Sequence, residues 1–91
     1  LMLDLSRRPV RLFLDCNAVA VNLDSMPKKK RQECIQNICQ SVQDLKAELA
    51  EHLAQKQDAP DVPAAGMAVL RQQILLADAL EQWAESLQAQ E

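Results

Sequence analysis

Glycine occurs once, at Gly66, tyrosine not at all, and the aromatics are Phe13 and Trp83 alone. A chain so poor in glycine builds no glycine-rich phosphate loop, and it lacks the turn residues that sandwiches, barrels and doubly wound sheets use. Histidine is single as well, His52, which leaves no Cys/His set at zinc spacing. The cysteines, Cys16, Cys34 and Cys39, are an odd set, so a closed disulfide framework is not expected and a reducing compartment suits them. No apolar run approaches the roughly 18–20 residues that span a bilayer. The opening Leu1-Met2-Leu3 lacks the apolar core of a signal peptide. Leucine ahead of methionine reads as the start of a trimmed piece of something longer.

What is abundant is helix-forming material. The 91 residues include 14 Leu, 13 Ala and 11 Gln, three types at or near the favourable end of helix propensity. Hydrophobic residues make up 48% and charged residues 25%, which is the mixture of an ordinary globular chain rather than a disordered one. The length suits a single small helical domain over residues 1–91.

Charge is unevenly placed. Residues 1–27 are neutral in sum, Lys28, Lys29, Lys30 and Arg31 form a compact basic block, and both stretches after it are acidic, for a net charge of −3. An acidic body of this kind disfavours binding along a nucleic-acid backbone, which needs many cations on one face.

The spacing predicts two long helices. From Met67 to Leu87 apolar residues recur at Met67, Leu70, Ile74, Ala77, Leu80, Trp83 and Leu87, always three or four apart, which is the mark of an amphipathic helix over 67–90. A second stripe, Ile35, Ile38, Val42, Leu45 and Leu49, continued by Leu53, predicts a helix over 25–57 with Ser25 as its cap and Pro27 in its first turn. Pro60, Pro63 and Gly66 place a loop over 58–66, where the chain doubles back. The fold class is therefore all-α, an antiparallel two-helix hairpin with the N-terminal segment packed across it.

That segment, residues 1–24, reads two ways. Val10, Leu12 and Leu14 alternate, as do Val19, Val21 and Leu23, around a turn at Asp15-Cys16-Asn17, as in a β-hairpin. Alternatively Val10, Phe13, Leu14, Asn17 and Val21 share one face of a helix capped by Ser6, with Pro9 in its first turn. A lone two-stranded hairpin is marginal in water, so the helix is preferred.

Catalytic and metal-binding constellations are scarce. Cys34 and Cys39, five apart, point about 140° from each other on a helix and read as small apolar residues beside the stripe. His52 stands one place beyond the Glu-x-x-His position counted from Glu48, and no second histidine exists to pair with it. Asp78, Glu81 and Glu85 recur at helical spacing, as a solvated acidic face does. No enzyme activity, no cofactor, no metal and no small-molecule substrate are expected.

Two features point to partners. Lys28 to Arg31, after Pro27, resembles a monopartite nuclear-localisation signal. Its cations oppose the positive end of a helix dipole, though a solvated lysine-rich helix start is the plainer account. On the last helix Ile74, Leu75 and Leu76 are consecutive and cannot all face one neighbour. Trp83 is either a core anchor or an aromatic contact for a partner. The expected partner-binding residues are Leu70, Ile74, Leu76, Leu80, Trp83 and Leu87, with Ile35, Ile38, Val42, Leu45 and Leu49 opposing them. A two-helix chain of this size buries little core alone. The expected function is a non-enzymatic module that completes a helical bundle with itself or with a partner protein, in the cytoplasm. A small chaperone or secretion-type accessory protein is the alternative, or a nuclear adaptor using residues 28–31 if the source is eukaryotic.

Overall fold

The computed structural model of the chain describes residues 1–57, 59 and 61–91. Asp58 and Pro60, both inside the predicted 58–66 loop, lie outside the described residues. Among those described, the elements run α1 (Met2–Arg7), α2 (Cys16–Ala20), one 3-10 turn (Leu23–Ser25), α3 (Lys28–Gln57) and α4 (Ala64–Ala89), with no strand.

The frame is the pair α3 and α4, of 30 and 26 residues. They lie antiparallel. Arg31 meets Glu91 at one end, Lys46 meets Asp78 and Glu81 midway, and Leu53 and Met67 pack against the Leu49, Leu70 and Ala77 cluster towards the other end. Ile35, Ile38, Val42 and Leu49 of α3 are buried, as are Leu70, Ala77 and Ala84 of α4. They gather into two clusters, one around Ile38, Val42 and Ala84 and the other around Leu49, Leu70 and Ala77. Ala77 and Ala84 are the most enclosed residues, at 1% and 2% exposure, because a small side chain lets the opposing Ile, Val and Leu come close. Each large buried side chain stabilises the pair by about 1.5–3 kcal/mol relative to exposure.

Leu45 departs from the stripe that predicted it as a seam residue. It stands about 60° round the helix from Val42 and is 37% exposed, at the seam's edge.

The helix ends differ in detail from the sequence reading. Ser25 does not cap α3, because its hydroxyl donates to the Asn22 carbonyl at 2.9 Å and so closes the preceding 3-10 turn. The first bond of α3 runs from the Arg31 N–H to the Pro27 carbonyl at 2.9 Å. Helix α4 begins at Ala64, three residues ahead of the predicted Met67. Pro63 supplies an extended N-cap with no N–H to satisfy, and Ala64 and Ala65 propagate the turn through Gly66.

The first 26 residues correct the sequence reading in two ways. The β-hairpin does not form. Nor does one helix run from Pro9, because residues 8–14 are non-helical and helix returns only at Cys16. Proline disfavours the helical region for the residue before it, and Arg8 is accordingly extended at ψ 144. Ser6, predicted as a cap, instead donates to the Leu3 carbonyl at 2.7 Å, inside α1. Residues 16–23 do reach the hairpin, for Cys16 and Val19 of α2 pack against the Ile38, Val42 and Ala84 cluster and Leu23 is buried.

The resulting shape is a plate measuring 51 × 34 × 16 Å, with a radius of gyration of 16.8 Å. A compact chain of this length would have a radius near 12 Å.

Candidate functional site

The helix pair leaves one long flank open to a third layer. On α3 the flank is formed by Cys34, Ile38, Ser41, Leu45, Glu48 and His52, each three or four residues from the last. On α4 it is formed by Gln73, Leu76, Leu80, Trp83 and Leu87, again at three and four. Ile38 belongs to the seam as well, Leu80, Trp83 and Leu87 pack against its edge, and the remaining members lie beside it.

The flank holds two grooves that meet at Leu45. The upper one, about 310 Å³, is lined by Cys16 and Val19 of α2 and by Cys34, Ile38, Val42 and Leu45 of α3, with Asn37 and Ser41 at its wall. The lower one, about 350 Å³, lies between the two long helices. Leu45, Leu49 and His52 form one wall, and Gln73, Leu76, Ala77 and Leu80 form the other. Glu48 and Leu14 complete its lining. So α2 leans over the upper half of the flank, and only Leu14 reaches the lower half from the N-terminal region. Leu76, in the wall of the lower groove, is 40% exposed.

The six residues expected to face a partner are distributed unevenly. Leu70 is buried in the seam, and Ile74 packs half-buried beside it. Leu80, Trp83 and Leu87 are half-buried against the Ile38, Val42 and Ala84 cluster. Leu76 is the one of the six that opens to solvent. Leu45, His52 and Gln73, which line the groove with it, were not among those six. The signal for them was the second register of apolar residues offset from the seam, of which the consecutive Ile74-Leu75-Leu76 was the visible symptom.

The other flank of the pair carries ion pairs beside a smaller groove of about 130 Å³, lined by Leu49, Ala50, Leu53, Ile74 and Ala77 between Lys46 and Asp78. Lys46 reaches across to Asp78 at 3.1 Å and to Glu81 at 3.0 Å. Hydrogen bonds donated to Glu81 and then to Asp78 raise the Lys46 pKa above its ordinary value. The exposed setting makes this bridge a guide to register more than a source of stability. Cys39 places its thiol 3.6 Å from the Ala84 carbonyl. Burial, and then the nearby Glu85 charge, hold that thiol above its usual pKa, so it favours the neutral, unreactive form. Cys16, Cys34 and Cys39 are all free thiols and all half-buried.

The basic block does not act as one unit. Arg31 turns to Glu91, at 2.6 Å from Nε with a second contact of 3.4 Å from Nη2. Lys28, Lys29 and Lys30 remain exposed, and no acidic residue shares the first turn of α3 with them.

Among the described residues, no group of three or more His, Cys, Asp and Glu is placed to hold a metal ion. No helix among them is long and apolar enough to cross a membrane. Compared with protein-family models, curated proteins and solved structures, the chain matches none of them.

Proposed function

We propose that the chain is a non-enzymatic helical interaction module, in which the α3–α4 hairpin supplies two rods of a bundle and an added chain completes it. The observation that carries this reading is the lower groove. It is a trough of about 350 Å³ walled by Leu45, Leu49, Leu76 and Leu80, running between two long helices with no third rod over it. In an assembled bundle such a trough is the seat of another element. In this reading the N-terminal segment lies across the pair as a partial third layer, with Cys16 and Val19 as its anchors. The three free thiols suit work in a reducing compartment such as the cytoplasm.

The test is the solution mass of the full chain by light scattering, across a wide range of concentration and with helical proteins pulled down from its source added in turn. The expected outcome is a concentration-dependent dimer or a defined complex, weakened by Leu76→Asp with helicity unchanged. A monomer that binds nothing and is indifferent to Leu76→Asp would remove the reading.

A further inference from the structure

The groove lacks a third rod, and the same chain carries apolar material that lacks a groove. Residues 1–13 form an arm in which Leu1, Met2, Leu3, Leu5, Val10, Leu12 and Phe13 all stand in solvent, Val10 and Phe13 at 93% exposure. Leu14, directly after the arm, is among the residues that line the lower groove. The arm thus leaves its own hairpin from a residue that already touches the unfilled trough.

Resting on the module reading, we propose that the lower groove is filled by the arm of a second copy, the two chains exchanging arms reciprocally. Three observations select this occupant. The first is charge. The arm carries Arg7, Arg8 and Arg11 against Asp4 alone, and among the described residues none of the three arginines is in an ion pair. The groove offers Glu48 in its lining, with Asp44 and Glu51 exposed on the same helix.

The second observation is size. Thirteen arm residues, together with the nine that line the groove, bring each copy near the roughly 20–30 residues a side of a standard stable interface. Neither feature reaches that alone. The third is the joint between arm and hairpin. Residues 8–14 run without helix and Arg8 is extended, a span of up to about 23 Å, and Pro9 resists its winding into a helix continuous with α2. Exchange of an identical element is a low-cost route to a closed, two-fold dimer, because each groove receives what the other chain supplies.

Phe13 is the only phenylalanine of the chain, so its ring protons report the arm without ambiguity. Equal amounts of isotope-labelled and unlabelled full-length chain are mixed at a concentration where light scattering shows dimer, and NOEs between labelled and unlabelled molecules are recorded. The expected result is contact from the Phe13 ring of one molecule to the methyls of Leu45 and Leu76 of the other. Phe13→Ala and Leu76→Asp should each weaken dimerisation about tenfold or more, with the circular dichroism unchanged. A dimer that is indifferent to Phe13→Ala would overturn the exchange and leave the module reading standing. Phe13 contacts found only within one molecule would also overturn it, since the arm would then close its own groove. A monomer at every concentration, with no partner either, would end both.

Discussion

Eight of the first fourteen residues are apolar, and so are sixteen of the twenty-six in α4. The fractions are close, yet α4 buries Leu70, Ala77 and Ala84 while the first fourteen residues bury none. What separates the regions is spacing and length, not hydrophobicity. Helix α4 repeats its apolar residues at three and four over about seven turns, so one face can meet α3 throughout. The arm has Leu1, Met2 and Leu3 in succession, then a gap, then Val10, Leu12, Phe13 and Leu14 around Pro9. Its helix α1 spans only 6 residues, well short of the roughly 12–15 at which an isolated helix becomes even marginal. Apolar content sets how much burial is available, and periodicity decides whether one neighbour can supply it.

That contrast has a direct test in stability. Leu70→Ala should cost about 2–5 kcal/mol, as truncation of a buried leucine does, read from the urea midpoint at constant slope. Phe13→Ala in dilute solution, where the chain is monomeric, should change the same midpoint by no more than about 0.5 kcal/mol. Comparable losses for the two would mean that the arm belongs to the monomer's core after all.

A smaller effect sharpens the helical side of the comparison. Gly66 lies in the first turn of α4, and a Cβ added there would meet nothing within 4 Å. Gly66→Ala should therefore stabilise the hairpin by about 0.5 kcal/mol, since it lowers the entropy lost on folding without a steric cost. A destabilised variant would show that α4 starts later than Ala64.

The smallest effect is in alkali. Cys39 and Lys46 both have folded pKa values raised above their ordinary ones. For a raised pKa the linked stability is complete below the unfolded value and is lost as pH climbs through the folded one. The melting temperature should thus be flat through neutrality and decline above pH 9.0, the ordinary thiol value, with a further decline once Lys46 deprotonates. Cys39→Ala should remove the first part of that decline and leave the second. A decline that begins below neutrality would contradict the assignment.

The hairpin was legible because its signal is redundant. Ile35, Ile38, Val42 and Leu49 agree with one another, as do Leu70, Ile74, Ala77 and Leu87, and Pro60, Pro63 and Gly66 separate the two runs. The N-terminal region offered no such agreement. Val10, Leu12 and Leu14 fit a period of two, Val10, Phe13 and Leu14 fit 3.6, and in the structure neither period organises them. Cys16 and Val19 settle against the hairpin through tertiary contact, which a local pattern cannot encode. The groove was half legible. The run Ile74-Leu75-Leu76 shows that α4 has more than one apolar face, but among the expected partner-binding residues Leu70 and Ile74 pack in the seam while Leu76 opens to solvent. Telling the two faces apart required knowing which side α3 takes.

The three buried residues of α4, Leu70, Ala77 and Ala84, are each seven apart. A straight α-helix gains about 20° on such a repeat with every heptad. A seam kept in contact along its length therefore favours a gentle left-handed wrap of the two rods. The flank beside the seam inherits that handedness. Over the two turns from Leu45 to His52, roughly 10 Å, so gentle a wrap leaves the trough nearly straight. A short occupant of that trough would feel no handedness, and only one that ran the full length of the pair would have to bend with it.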